Sequence, residues 1–119
     1  MLARLTRCST RRHHHLTTCR AVGVSNFGVA HLKELIDSPR TSVVPAANEV
    51  EISPFLRKEE IEAFCSARGI RLIAYSPLAR AQRMGHPDLA YVSARHKVSD
   101  AQVLVRWSMQ HGYVPLPKS

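Results

Sequence analysis

Four short apolar runs along the chain each end in polar or aromatic side chains. The clearest run follows Gly69, continues through Ile70–Tyr75 and closes on Ser76-Pro77-Leu78. A short run rich in β-branched and apolar residues, bounded by Gly and Pro, is typical of a strand buried on both faces. Because the same design recurs, we expect four strands, which lie within residues 21–27, 43–51, 70–78 and 113–119.

Apolar residues at helical spacing occupy the segments between these runs. The spacing of Leu32, Leu35 and Ile36 predicts a buried helical face, and Asn26 is the predicted cap of that helix. Ser53-Pro54 predicts the start of the next helix. The remaining predicted helices are a short one over 88–96 and one that begins at the capping box Ser99–Gln102.

The alternation of strands and helices predicts an α/β fold. Such alternation indicates parallel strands joined by right-handed crossovers. The carboxyl ends of parallel strands lie at one edge of the sheet, which is where these folds bind ligands. A complete (β/α)8 barrel typically needs about 250 residues, so a chain of 119 residues holds at most part of one.

The formal net charge of +8 is concentrated near the amino terminus. Residues 1–20 contain five arginines and no acid, which leaves only +3 for residues 21–119. That remainder is ordinary for a folded domain and argues against a nucleic-acid-binding surface. No apolar run approaches the roughly 18–20 residues that a membrane span needs. We therefore expect neither nucleic acid nor membrane as a partner.

Residues 1–20 differ in character from the rest, being rich in Arg, Ser and Thr without a hydrophobic period. We interpret them as a disordered basic tail or a non-native leader, while their composition is also compatible with a mitochondrial presequence. His13-His14-His15 is more typical of a solvated tail than of a metal site. Cys8, Cys19 and Cys65 share no metal or disulfide spacing, which fits a reducing compartment such as the cytoplasm. Cys65, on the second predicted helix, is expected to fill the core.

The side chains at the predicted strand ends match the parts of one ligand. Ser, Asn and Glu hydrogen-bond a planar amide, a tyrosine face stacks on an aromatic ring, and a lysine beside a hydroxyl suits a phosphate monoester. The alternative is that these residues are strand-end caps and turn formers without a ligand. The residues concerned are Ser25, Asn26, Asn48, Glu49, Tyr75, Ser76, Lys118 and Ser119.

Five segments resemble, in order and spacing, the C-terminal half of the aldo-keto reductases. They are Gly23–Phe27, Asn48–Glu51, Ala74–Leu78, Gln102–Trp107 and Pro117–Ser119. The resemblance implies strands five to eight of a (β/α)8 barrel, hence a partial TIM barrel over residues 21–119. It also implies NADP(H), bound in an extended form without a Gly-rich dinucleotide loop.

The resemblance also implies which residues hold the nicotinamide end of the cofactor. Ser25 and Asn26 would hold the carboxamide, and Tyr75 would stack on the ring. Glu49 stands where the family usually has Gln. An ionised Glu accepts a hydrogen bond from the amide NH2 but cannot donate one to its carbonyl, so this contact differs from the family pattern.

At the phosphate end, the resemblance places Ser76 and Leu78 along the pyrophosphate and gives the adenosine 2′-phosphate to Lys118 and Ser119. The family's catalytic Asp, Tyr, Lys and His lie on the first four strands, and residues 1–20 match none of them. No catalytic residue and no metal ligand is therefore assigned in this chain.

The family chemistry is the NADPH-dependent reduction of aldehydes or ketones to alcohols. Because the acid and its partners are missing, we expect residues 21–119 to be a truncated oxidoreductase domain with little or no turnover of its own. One alternative is a non-catalytic chain that binds nucleotide weakly or associates with itself or another chain through open barrel edges. Another is a misjoined gene product whose residues 1–20 are foreign to the fold.

Overall fold

The computed structural model describes residues 21–118. The strands form one parallel sheet in which neighbours along the chain are also neighbours in space, in the order β1-β2-β3-β4. The predicted α/β class is thereby confirmed, while the predicted tail 1–20 and Ser119 lie outside the described residues. The elements are β1 (Gly23–Ser25), α1 (Val29–Asp37), β2 (Ala47–Glu51), α2 (Glu59–Ser66), β3 (Arg71–Tyr75), a 3₁₀ turn (Ala79–Ala81), α3 (Pro87–His96), α4 (Asp100–Gln110) and β4 (Val114–Leu116).

The two central strands have one buried face. Their register pairs Asn48 with Leu72 and Val50 with Ala74. Each of these four residues is at most 4% exposed. Paired residues of neighbouring parallel strands project to the same side of a sheet, so these four side chains define the face on which the core is built.

Helices α1, α2 and α4 supply the apolar side chains that cover this buried face. Leu32 of α1 and Cys65 of α2 have no exposed area, and Trp107 of α4 packs against the same cluster. Burying a leucine side chain stabilises a fold by about 1.5–3 kcal/mol. The predicted role of Cys65 in the core is confirmed, and burial raises the pKa of its thiol.

The other face of the sheet is open within residues 21–118. Ile73 and Tyr75 on β3 are only half-buried, and Arg71 is exposed. Val114 and Leu116 on β4 project to the same side and are 44% and 46% exposed. The prediction that the third strand is buried on both faces is therefore wrong for the described residues, because their helices pack on one face alone.

One predicted helix start and one predicted helix cap are also wrong. Helix α2 begins at Glu59 rather than after Ser53-Pro54, because Ser53 and Leu56 close a turn on each other through two backbone hydrogen bonds of 3.3 and 3.0 Å. Helix α1 is capped by the backbone at Gly28, without a side-chain cap, so Asn26 does not have its predicted capping role. The capping box between Ser99 and Gln102 is confirmed.

The strands are shorter than the apolar runs that predicted them. Val43 and Val44 precede β2 and are 57% and 48% exposed.

Gly69 has the left-handed backbone expected between a helix and a strand, with φ +67°. Within residues 21–118, no helix has the length and apolar character needed to cross a membrane.

Candidate functional site at the carboxyl ends of the strands

The polar residues predicted for the site lie toward the carboxyl ends of β1, β2 and β3, with Ser25 and Tyr75 at the last positions of their strands and Glu49 two positions before the end of β2. In the sheet register, Ser25 is opposite Glu49, and Glu51 is opposite Tyr75. All four belong to the open face, because each is offset by one position from a residue of the buried face. Parallel register therefore brings together residues that are up to 50 positions apart in sequence.

The turn after β1 is fixed to β2 by its backbone and a hydroxyl. The Asn26 N–H and the Ser25 hydroxyl both donate to the carbonyl oxygen of Glu49, at 2.8 and 3.2 Å. Asn26 itself is left-handed, with φ +58°. Asn adopts this conformation more readily than most residues with a side chain, so the residue type and the backbone of the turn agree.

A chain of hydrogen bonds links Tyr75 to Ser25 across the strand ends. The Tyr75 hydroxyl donates to Asn26 Oδ1 at 3.1 Å, and Asn26 Nδ2 donates to Ser25 Oγ at 3.3 Å. An amide side chain has two donor hydrogens and two acceptor lone pairs. Asn26 therefore keeps one donor and one acceptor position, which is the pairing that a ligand carboxamide needs.

The ring of Tyr75 and the carboxylate of Glu49 complete this end of the site. Tyr75 is half-buried, and the hydrogen bond of its hydroxyl to Asn26 fixes the ring at the open face. Glu49 is also half-buried, with its carbonyl engaged by the β1 turn. Its carboxylate can accept from an amide NH2 but, when ionised, has nothing to donate.

The segment after β3 has a run of left-handed residues without glycine. Ser76 has φ +50°, and Ala79, Arg80 and Ala81 have φ values of +48°, +52° and +59°. Such conformations cost on the order of 1–3 kcal/mol each and persist only where surrounding contacts impose them. Leu78, within this segment, is half-buried. Ser76 directly follows Tyr75 at the rim of the site, and Leu78 lies two residues further along the chain.

This segment also makes an ion pair that is absent from the sequence-based predictions. Arg80 Nη2 lies 3.3 Å from Glu51 Oε2 and so ties the loop after β3 to the end of β2. An exposed ion pair of this kind contributes at most about 1 kcal/mol. The two residues also line an open cavity of about 280 Å³, together with Phe55 and Arg83. No signal in the sequence predicted a partner for Arg80.

Lys118 follows β4 at the same edge of the sheet. Leu116, the last residue of β4, is opposite Tyr75, and Lys118 lies two residues further along the chain. Its side chain is exposed. Ser119 lies outside the described residues, so only the lysine of the predicted phosphate-binding pair has a place in the structure.

Asn48 was also predicted to face the ligand, and this prediction is wrong. Its side chain is fully buried on the helix-covered side of the sheet and bonds the backbone of Phe27. Alternation along β2 explains the difference, since Glu49 and Glu51 occupy the open face and Asn48 occupies the other.

A second cavity, of about 340 Å³, opens at the opposite end of the sheet. Its lining includes Arg71, Glu62, His111 and Tyr113. Burial, and then a hydrogen bond to Glu62, raise the pKa of the Tyr113 phenol. This cavity is larger, but it contains none of the strand-end residues that form the hydrogen-bonded chain described above.

Comparison with known proteins places these residues in a family context. A model of the Aldo/keto reductase family matches residues 18–119. An aldehyde reductase of Saccharomyces cerevisiae is 45% identical over 102 residues, and a glycerol 2-dehydrogenase (NADP(+)) of the same yeast is 42% identical over 102 residues. In both cases the match covers 84% of this chain and 33% of the relative.

Comparison with solved structures indicates the same family. The crystal structure of an aldo/keto reductase from Brucella melitensis matches with a TM-score of 0.77 and 33% identity, over 83% of this chain and 37% of that one. The four-stranded sheet is thus part of an α/β barrel, as predicted, and the chain spans about a third of the length of the relatives it matches. The chain belongs to the aldo/keto reductase family.

Proposed function

We propose that residues 21–119 form the NADP(H)-binding part of an oxidoreductase that reduces aldehydes or ketones to alcohols. The observation that carries this proposal is the hydrogen bond from the Tyr75 hydroxyl to Asn26 Oδ1, which joins an aromatic face at the end of β3 to an amide-binding group after β1. The yeast relatives support it, because one is named an aldehyde reductase and the other is named for NADP(+).

The residues of the open face fit a nicotinamide. Asn26 has one free donor and one free acceptor position for the carboxamide, and Ser25 holds Asn26 Nδ2 in place at 3.3 Å. The face of Tyr75 gives the ring a stacking surface, which is worth about 0.5–1.5 kcal/mol beyond area burial. When bound, NADPH supplies the hydride for carbonyl reduction. The protein groups orient the nicotinamide and shield one of its faces from water.

The phosphate groups fit the residues on the far side of Tyr75. Ser76 and Leu78 lie in the strained segment that follows β3, and Lys118 follows β4, the next strand of the sheet. A lysine ammonium is a compact point charge that suits a phosphate monoester. The proposal therefore assigns the pyrophosphate to Ser76 and Leu78, and the 2′-phosphate to Lys118 together with Ser119.

Carbonyl reduction also needs a proton donor, and the tyrosines of residues 21–118 are not placed to be one. The Tyr75 hydroxyl is engaged by Asn26. Tyr113 is buried beside Glu62 at the other end of the sheet, and Tyr91 is 66% exposed on α3. A positioned general acid is typically worth 10²–10⁴-fold in rate. We therefore propose that the 119-residue chain, assayed alone, reduces aldehydes slowly or not at all.

The binding proposal is tested by titrating the full 119-residue chain with NADPH and following the nucleotide fluorescence. A saturable change is expected, and Tyr75→Ala should weaken binding by about tenfold, as a lost ring contact of about 1.4 kcal/mol requires. Tyr91→Ala is the matched control, since it removes an exposed tyrosine from α3. The absence of saturable binding by the unaltered chain would overturn the proposal.

A second candidate function is association through the open face. Val114 and Leu116 are nearly half exposed there, and β1 and β4 are edge strands within residues 21–118. Exposed apolar faces and unpaired strand edges favour pairing with other chains. We propose a second copy of this chain as the partner. Sizing with light scattering should show dimers or larger species that Leu116→Lys disperses, while Met109→Lys, on exposed α4, does not.

A further inference from the structure

Asn48 is a buried polar residue on an otherwise apolar face of the sheet. It is 0% exposed and is opposite Val24 in β1 and Leu72 in β3. Its side chain forms two hydrogen bonds to the same residue. Nδ2 donates to the carbonyl of Phe27 at 2.8 Å, and the Phe27 N–H donates to Oδ1 at 3.4 Å. A buried amide that pairs both backbone groups of one residue acts as a clamp on that residue.

The clamp acts on the turn that presents Asn26. The N–H of Phe27 belongs to the peptide group that follows Asn26, and Asn48 holds it. The N–H of Asn26 belongs to the peptide group that precedes it, and the Glu49 carbonyl holds that one at 2.8 Å. Two consecutive residues of β2 therefore fix the peptide groups on both sides of Asn26, whose backbone is left-handed at φ +58°.

We infer that Asn48 is a positioning residue for the nicotinamide end of the cofactor site. It holds Asn26 in the left-handed conformation in which Oδ1 meets the Tyr75 hydroxyl and Nδ2 meets Ser25 Oγ, so that one donor and one acceptor position remain for a carboxamide. The inference deepens the function proposed above and rests on it. It concerns a side chain that contacts no ligand and lies on the opposite face of the sheet from the site.

A merely structural Asn48 would make a different prediction. Its loss would then lower the stability of the whole sheet and weaken every part of a bound nucleotide alike. A positioning Asn48 affects the nicotinamide end alone, because Lys118 and the loop after β3 make no hydrogen bond with it. Two ligands separate these cases: NADPH, which has a nicotinamide, and adenosine 2′,5′-bisphosphate, which has the 2′-phosphate but no nicotinamide.

The experiment measures the dissociation constants of both ligands by calorimetry for the full chain, Asn48→Leu and Asn48→Asp. Leu keeps the approximate volume and removes both hydrogen bonds, whereas Asp keeps an acceptor for the Phe27 N–H and loses the donor. Leu104→Val, a buried substitution in α4, is the control for lost core packing. We expect Asn48→Leu to raise the dissociation constant of NADPH by about tenfold, which corresponds to the loss of roughly one hydrogen bond to a buried group. The dissociation constant of the bisphosphate should change by no more than about twofold.

If the binding of both ligands weakened equally, or if neither dissociation constant changed, the inference would be overturned while the proposed function remained intact. Failure of the unaltered chain to bind either ligand would overturn the proposed function and this inference with it. Hydrogen exchange of the unaltered chain covers the case in which both variants fail to fold. The Phe27 amide should exchange slowly, like the strand amides, and exchange as fast as in an exposed loop would contradict the clamp.

Discussion

The hydroxyl of Tyr75 donates a hydrogen bond to the side-chain oxygen of Asn26 at 3.1 Å, across 49 positions of sequence. The bond spans the sheet from the end of β3 to the end of β1, so the Tyr75 ring reaches past β2. It brings a ring and an amide together at the open face of the sheet, and it leaves Asn26 one donor and one acceptor. The proposed cofactor site depends on this pair more than on any other contact.

Removing the Tyr75 hydroxyl alone should loosen the nicotinamide end of the site. Tyr75→Phe keeps the stacking face but loses the bond that orders Asn26. One hydrogen bond contributes about 0.5–1.5 kcal/mol, so the NADPH dissociation constant should rise by roughly twofold to tenfold. Fluorescence titration measures it, with Tyr91→Phe as the control. An unchanged constant would show that the hydroxyl has no part in binding.

The carboxylate at Glu49 should weaken nucleotide binding relative to an amide at the same place. Glu49→Gln supplies a donor for the ligand's carbonyl while keeping an acceptor for its NH2 group. We expect NADPH to bind more tightly by about 1 kcal/mol, roughly fivefold. The matched control is Glu60→Gln, on the exposed start of α2. Weaker binding by Glu49→Gln would mean that the carboxylate itself contacts the cofactor favourably.

Lys118 should distinguish phosphorylated from unphosphorylated cofactor. A hydrogen bond to a charged group contributes about 1.5–3 kcal/mol. Lys118→Gln should therefore weaken the binding of NADPH by at least about tenfold and leave the binding of NADH nearly unchanged. The preference for NADPH should also fall with added salt, because the lysine is exposed. Lys97→Gln, at the end of α3, is the control. Equal losses for NADPH and NADH would contradict a 2′-phosphate contact.

Alkaline pH should destabilise the fold through Tyr113. Burial and the neighbouring Glu62 raise the pKa of its phenol in the folded chain. The folded state thus holds its proton more tightly than the unfolded state, whose tyrosine pKa is about 10. The stability that this provides is complete below about pH 10 and is lost progressively above it. Urea unfolding from pH 8 to 11 should show this decline, and Tyr113→Phe should flatten it.

Cys65 should also contribute to the loss of folding stability at alkaline pH, since burial raises the pKa of its thiol. Some decline should therefore remain in Tyr113→Phe. Tyr91→Phe, which alters an exposed phenol, should follow the unaltered chain throughout. If Tyr113→Phe lost stability with pH as steeply as the unaltered chain, the phenol of Tyr113 would not be the group that titrates.

The strand ends could be predicted from the sequence because parallel topology brings them to one edge. Parallel strands that end in polar residues bring those residues to one edge, and the register pairs Ser25 with Glu49 and Tyr75 with Glu51, two positions from Glu49 on the same face. The proximity of Lys118 followed in the same way, since β4 pairs with β3. The order of the elements and the direction of the strands are enough to determine which residues share this edge.

Predictions of helix caps and helix starts were wrong where another residue binds the group that the cap would use. Asn26 has the residue type of a helix cap, but a partner 49 positions away takes its side-chain oxygen. Ser53-Pro54 has the form of a helix start, but Leu56 closes a turn on Ser53 first. The role of Asn48 depends on which face of β2 it occupies, and a shift of one residue in register would reverse that face.

In the proposed function, NADP(H) binds across the carboxyl ends of these strands. The most direct measurement is a two-dimensional ¹H–¹⁵N spectrum of the 119-residue chain, recorded with and without NADP⁺. Saturable shifts are expected in the backbone amides of Asn26, Ser76 and Lys118. Shifts confined to the opposite cavity, at Arg71, His111 and Tyr113, or no shifts at all, would contradict the proposed function.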